Sequence, residues 1–311
     1  MKAFILTGNN GPDSLQLTEV GKPPVRAGEV LVRVTAISLN PVDYKTAKGQ
    51  AMWTKISEHP PVIGGWDIAG EVAETGDDIT QFKTGDAVFG MVNFPGAGRA
   101  YAEYVAAPAA HLACKPAHVG KEEAVAATLA AQTAWQVLDK AAVESGQRVL
   151  IHAAAGGVGH FAVQLAKLRG AYVIGTASAG KLDFVRSLGA DEVIDYTRVR
   201  FEEAVQPVHF VFDPIGKENS GRSFSIIKPG GKLICIVGLS PELAAEAEQK
   251  DIDAQAYLVA SSGSDQAAVA GLLAGGKLKA HVSQTFPFSQ LPDAMRQIAT
   301  GKTQGKIVVT V

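Results

Sequence analysis

The chain has 311 residues, 47% of them hydrophobic and 19% charged, with a formal net charge of −2. A domain holds roughly 100–200 residues, so this length suits two modest domains, and the apolar fraction excludes a disordered chain. With no run of Lys or Arg, the chain lacks the basic patch that a nucleic-acid partner requires.

In chain order, the N-terminus turns polar after a few residues, at Thr7, Gly8, Asn9 and Asn10, too soon for a signal peptide. Val30, Val32 and Val34 alternate with Leu31, Arg33 and Thr35, the period-two pattern of a strand. Turn signals follow at Asn40-Pro41, Gly64-Gly65, Gly76-Asp77 and Gly85-Asp86, so residues 1–118 read as short strands in a small barrel or sandwich. A helix is expected over 121–140. Its Ala-rich part carries Thr128, Gln132 and Thr133, which makes it too short and polar for a membrane span. A soluble, cytoplasmic protein with no membrane partner is expected.

From there strands and helices alternate. Strands are expected over 149–153, 172–176, 192–196, 209–213 and 232–237, and helices over 159–169, 181–188 and 221–227. Such alternation argues for a doubly wound parallel sheet, and the run Phe210-Val211-Phe212 for strands buried on both faces. Residues 287–300 read as a loop and helix, and 306–311 as a terminal strand. The expected organisation is a catalytic domain over 1–118, completed by 264–311, with a nucleotide domain over 119–263 inserted in it and a cleft between the lobes.

The strongest local motif is Ala153-Ala154-Ala155-Gly156-Gly157-Val158-Gly159, between an expected strand and an expected helix. On the dinucleotide fingerprint G-x-G-x-x-G, the key positions are Ala154, Gly156 and Gly159. Gly156 lets backbone approach a pyrophosphate, and Gly159 lets helix pack close to strand. Gly157 and Val158 complete the turn that aims amides at the phosphates. Ala154 departs from the ideal first glycine. An NAD site calls for Asp or Glu at the end of the next strand, about 20 residues on. This chain reads Thr176-Ala177-Ser178-Ala179-Gly180-Lys181 there, with no acid before Asp183. Ser178 and Lys181 suit a 2′-phosphate instead, so NADP(H) is the expected cofactor.

These residues resemble the medium-chain dehydrogenase/reductase superfamily, in its zinc-independent quinone oxidoreductase branch. The resemblance runs nearly end to end. Besides the Gly-rich loop it is carried by Asn40-Pro41-Val42-Asp43-Tyr44-Lys45, Gly64-Gly65-Trp66-Asp67-Ile68-Ala69-Gly70, Gly85-Asp86-Ala87-Val88, Tyr101-Ala102-Glu103-Tyr104, Gln132-Thr133-Ala134 and Gly305-Lys306-Ile307-Val308. The first two of these are most similar to the enone and alkenal reductases of that branch. The resemblance implies an α/β protein: a Rossmann doubly wound parallel sheet plus a GroES-like β-barrel catalytic domain, assembled as a homodimer through sheet edges. It also implies that Lys181 and Tyr196 hold the 2′-phosphate and that Thr133 lies near the nicotinamide. The segments Asp213-Pro214-Ile215-Gly216 and Val237-Gly238 would line the nicotinamide ribose. Asp213 also reads simply as a strand-end turn residue.

In zinc-dependent relatives Cys, His-Glu and a second Cys frame the metal. The matching positions here are Asn40, Trp66-Asp67 and Leu129, which do not replace thiolate and imidazole. The two cysteines, Cys114 and Cys235, form no C-x-x-C pair. His111, Cys114 and His118 have metal-like spacing but no fourth ligand nearby, so no metal, zinc included, is expected.

Without a strong Lewis acid the substrate should be a small molecule that is already electrophilic: a quinone or an α,β-unsaturated carbonyl compound. Donors must meet the negative charge that hydride transfer builds on oxygen. Asn40 and Lys45 are the candidates, with Tyr44 as a weaker proton donor. For Lys45 the bland reading is a solvated lysine at a helix start, and for Asn40 an Asn-Pro turn. The rival readings are a zinc-free reductase of another activated acceptor, a non-catalytic NADPH-binding protein, and a zinc alcohol dehydrogenase.

Overall fold

The computed structural model describes all residues, 1–311. The chain divides into two compact units, Met1–Gln132 with Val259–Val311, and Thr133–Leu258. The domain boundaries expected from the sequence stand at 118/119 and 263/264.

The first unit opens with an antiparallel ribbon of β1 (Lys2–Leu6) and β2 (Leu15–Glu19). The strands β3 (Glu29–Leu39), β4 (Asp67–Thr75), β5 (Ala87–Met91), β6 (Tyr104–Pro108) and β7 (Leu112–Cys114) build its main sheet. Strand β3 pairs with β4 along its length and with β6 along its first half. Val30, Val32, Val34, Ile37 and Leu39 are therefore all buried, and the alternation seen in sequence gives way to burial on both faces after Thr35. Two short helices, α1 (Pro41–Ala47) and α2 (Trp53–Ile56), follow β3.

The helix expected over 121–140 is two helices, α3 (Lys121–Ala126) and α4 (Leu129–Ala141). The break falls at Thr128. Its Oγ1 donates to the Val125 carbonyl at 2.7 Å, and the next amide, Leu129 N, leaves the helix ladder to donate to Asp67 Oδ1 at 3.1 Å.

The second unit holds β8 (Arg148–Ile151), α5 (Gly159–Leu168), β9 (Tyr172–Ala177), α6 (Leu182–Ser187), β10 (Glu192–Asp195), α7 (Phe201–Ala204), β11 (Val208–Asp213), α8 (Glu218–Ser223), β12 (Ile227–Cys235), α9 (Pro241–Gln249) and β13 (Asp253–Ala256). Its six strands are all parallel, in the order β10-β9-β8-β11-β12-β13. The order reverses between β8 and β11, which is the switch point where doubly wound sheets bind ligands. The helix expected over 221–227 begins earlier, at Glu218, and Ile227 already belongs to β12. The Asp213 carboxylate accepts from Asn219 Nδ2 and Ser220 Oγ, which starts α8 early, and Ile226 and Ile227 are drawn into the core.

The chain then returns to the first unit with α10 (Gly263–Ala274), β14 (Val282–Pro287), α11 (Leu291–Ala299) and β15 (Lys306–Thr310). Strand β15 pairs antiparallel with β3, placing Ile307 opposite Leu39, and parallel with β14. Strand β13 and helices α9 and α10 have no counterpart among the expected elements. Both helices start at a serine whose hydroxyl accepts a backbone amide: Ser240 from Leu243 at 3.3 Å and Ser262 from Asp265 at 3.1 Å. No helix is long and apolar enough to cross a membrane.

Candidate active site

The second unit carries the Gly-rich loop between β8 and α5. Ala153 takes a left-handed backbone, φ 47°, and Gly156 N donates back to its carbonyl at 2.8 Å, closing the turn. A Cβ on Gly159 would press into that same carbonyl and come within 2.8 Å of Ala154 Cα, so this close approach requires glycine. The helical ladder begins with His160 N on Gly156 O. The amides of Gly157, Val158 and Gly159 lie ahead of it and make no backbone bond within the protein. The departure at Ala154 has a local accommodation. Its methyl faces Gly175 on β9, where an added Cβ would stand 2.9 Å away.

The neighbouring strand ends bring the other sequence candidates to one edge of the sheet. Ala177 closes β9 opposite Asp195 of β10, and Tyr196 N donates to the Ala177 carbonyl at 3.3 Å. Ser178, Lys181 and Tyr196 thus cluster at the C-terminal ends of these two strands. Tyr196 is 56% exposed, and partial burial lowers the Lys181 pKa. Asp183 is fully out in solvent and paired with Arg186.

Asp213, at the end of β11, is completely buried. Its Oδ1 accepts from Ile215 N, Gly216 N and Asn219 Nδ2, and its Oδ2 from Ser220 Oγ at 2.6 Å. Those four bonds make it the keystone of its own turn. Gly238, after β12, is exposed with φ 103°, and Thr133 is buried on α4. His152, at the end of β8, lies between Thr176 Oγ1 at 3.2 Å and Ser223 Oγ at 3.0 Å. Burial pushes its imidazole down to about 4, against the opposing pull of Asp213.

The first unit carries a second constellation. Asn40 caps α1 and is 3% exposed. Its backbone N donates to Asp43 Oδ2 at 2.7 Å, half of a capping box, and Pro41 supplies a helix-compatible φ at the first helical position. The Asn40 amide Nδ2 donates to Asp67 Oδ2 at 2.7 Å, while its Oδ1 accepts from the Lys306 ammonium. Lys306 also donates to the Leu39 carbonyl at 2.8 Å and stands 3.9 Å from Asp67 Oδ2. Tyr101 donates its hydroxyl to Asp43 Oδ1 at 2.7 Å. Asn40, Asp43, Asp67, Tyr101 and Lys306 are all buried. Burial raises both carboxylates, Asp43 to about 7, and lowers Lys306; attraction between Lys306 and the acids opposes each of these shifts. On the same helix Lys45 is exposed, and Tyr44 is half-buried with the Lys48 ammonium 5.3 Å from its ring centre.

The three positions that match metal ligands in zinc-dependent relatives are therefore brought together: Asn40 and the Leu129 amide both bond Asp67. The cation among them is an ammonium. Sequence reasoning did not single out Lys306. The available signal was a lysine heading the β-branched run Ile307-Val308-Val309, on a strand with no polar face to receive it. His111, Cys114 and His118 do not act together. His111 Nδ1 accepts from Asn93 N at 3.1 Å, His118 Nε2 bonds the Ala274 carbonyl, Cys114 is exposed, and no three His, Cys, Asp or Glu residues gather as a metal site.

Comparison with known proteins agrees with this geometry. The family description "Alcohol dehydrogenase GroES-like domain" matches residues 26–117, and "Zinc-binding dehydrogenase" matches residues 188–309. The chain is 34% identical to the NADPH-dependent alkenal/one oxidoreductase of Arabidopsis thaliana, over 99% of this chain and 79% of that protein. It is 35% identical to a quinone-oxidoreductase homolog of Spinacia oleracea, over 96% and 94%. The solved structure of the quinone oxidoreductase from Coxiella burnetii superposes with a TM-score of 0.95 at 34% identity, covering 100% of this chain and 99% of that one.

Proposed function

The chain belongs to the medium-chain dehydrogenase/reductase superfamily, in its quinone oxidoreductase branch, and on that footing we propose that it is an NADPH-dependent, zinc-independent oxidoreductase that reduces a quinone or an α,β-unsaturated carbonyl compound. The observation that carries this reading is the pairing of a glycine-built loop with an acid-free strand end. The amides of Gly157, Val158 and Gly159 have no backbone partner and, with the partial positive charge of α5, suit a pyrophosphate, and Gly156 and Gly159 leave backbone where a Cβ would stand. Ser178, Lys181 and Tyr196 suit a 2′-phosphate, which an acid at the end of β9 would repel. Thr133, Gly238 and the turn made by Asp213 are assigned to the nicotinamide half, with Asp213 shaping backbone rather than offering its carboxylate.

A catalytic zinc does not fit these residues. Trp66 gives its Nε1 to the Gly96 carbonyl at 2.7 Å, Leu129 brings only a backbone amide, and the Lys306 ammonium already balances Asp67. A dication beside that ammonium would meet charge repulsion with no thiolate or imidazole to offset it.

When bound, the reduced nicotinamide supplies the hydride. The work left to this chain is to hold the acceptor's carbonyl and to stabilise the negative charge that grows on its oxygen. Lys45, exposed on α1, is assigned that role, with Tyr44 as the proton source. Asn40 holds the start of α1 in place through Asp67 and Lys306. Lys45→Ala should lower kcat for an enone on the order of a hundredfold, as loss of one preorganised donor does; unchanged kinetics would remove Lys45 from the mechanism.

The same reading extends to a cytoplasmic homodimer. Strand β13 leaves one edge of its sheet unpaired, and Cys114 and Cys235 are free thiols of the kind a reducing compartment maintains. Light scattering on purified protein measures the first. The deciding experiment for function is a screen of cofactor oxidation over quinones, enals and enones, with NADPH and NADH side by side. Turnover with NADPH well ahead of NADH is expected. NADPH binding with no turnover of any acceptor would convert the reading to a non-catalytic binder.

A further inference from the structure

A cavity of about 420 Å³ opens in the first unit and shares no residue with the Asn40–Asp67–Lys306 cluster. One wall is the chain just after β2, from Val20 to Pro24; another is β6, and a third is the loop from Asn93 to Arg99. Three cationic side chains line it, Lys22, Arg26 and Arg99, against a single acid, Glu29. None of the three cations is in an ion pair. Glu29 is occupied, accepting the Arg26 backbone amide at 3.1 Å. Arg99 gives one guanidinium nitrogen to the His59 carbonyl at 3.2 Å and is half-buried, so a positive charge has been taken partly out of water without a counter-charge. The Lys22 ammonium rests 4.0 Å from the centre of the Tyr104 ring.

The loop that presents Arg99 is held rigidly. Asn93 and Arg99 both adopt left-handed backbone, φ 54° and 58°. Asparagine accepts that conformation readily, whereas in Arg99 it persists only where the surroundings over-determine it. Here Asn93 N bonds His111, Phe94 N bonds Ser261 Oγ at 2.8 Å, and the Gly96 carbonyl takes the Trp66 indole. The Arg99 guanidinium carries a planar fork of donors, of which one nitrogen is used by the His59 carbonyl and the rest suit an oxyanion. Pro23, Ile63 and Val105 also line the cavity, the last two nearly wholly buried.

We propose that this recess binds a small organic carboxylate, with the anion on Arg99 and Lys22 and the apolar body against Ile63 and Val105. Octanoate and its neutral isostere octanamide are the probes, titrated calorimetrically at low ionic strength against wild type, Arg99→Asn and Lys22→Gln. Asparagine tolerates the left-handed backbone, so Arg99→Asn should keep its thermal unfolding midpoint. Octanoate should bind, with octanamide at least about tenfold weaker, and Arg99→Asn should weaken octanoate by about tenfold or more, the loss expected for one charge-assisted hydrogen bond. Equal affinity for the two probes, no binding of octanoate, or unchanged octanoate affinity in both variants would overturn the assignment. So would inorganic phosphate binding as tightly as octanoate, since that describes a bare cationic patch.

Discussion

Lys306 is 2% exposed, yet its ammonium is fully partnered, by Asn40, the Leu39 carbonyl and Asp67. Lys306→Met would leave two buried carboxylates, Asp43 and Asp67, with no cation. Breaking a buried charge pair from one side costs about 3–5 kcal/mol, and urea unfolding should show a loss of that order. Asp43 and His152 are two of the buried groups that make stability depend on pH, with opposite signs. Asp43 is raised from 3.8 to about 7, so the folded state holds its proton longer; that contribution is present below 3.8 and is lost as pH rises through about 7. His152 is lowered from 6.5 to about 4, so its contribution is present above 6.5 and is lost as pH falls toward about 4. Between roughly 4 and 6.5 the two slopes oppose each other. His152→Gln should remove the acid-side loss and leave stability falling with rising pH across that window, measured as urea midpoints at several pH values. The sequence reads Asn40-Pro41 as a turn, a local signal, whereas in the fold Asn40 caps a helix that Pro41 begins. It did not reveal that both ends of the Asn40 amide are engaged inside the protein, because Asp67 lies 27 residues away and Lys306 lies 266.

Among the elements, the β8–loop–α5 unit was the most legible. Glycine at position 159 reports a backbone approach that follows from covalent geometry alone. Gly159→Ala would force α5 away from β8, since its Cβ would overlap the Ala153 carbonyl. NADPH affinity, followed by fluorescence titration, should fall at least about tenfold, with circular dichroism confirming that the sheet persists. The helix boundaries were less legible. The stretch 121–140 reads as one helix, but Thr128 and Asp67 together divide it. Helix α8 starts early because Asp213 recruits Asn219 and Ser220. In both places a side chain competes for backbone or helix-start groups, and hydrophobic period does not register such competition.

For the whole molecule, the first unit is discontinuous: its sheet takes β15 from the far end of the chain to lie between β14 and β3. Removing residues 305–311 would delete that strand and the Lys306 ammonium together, and should abolish cooperative unfolding of the first unit, read by the loss of its calorimetric transition. What the sequence determined by itself is the class of the fold and the glycine turn at the head of α5. Strand–helix alternation and a glycine turn are short-range features, fixed by steric limits over a few residues. Only the tertiary structure decided which charge sits beside Asp67, and that Lys22, Arg26 and Arg99 line one recess. Burial and charge partnership depend on residues tens to hundreds of positions apart, and no local period encodes that distance.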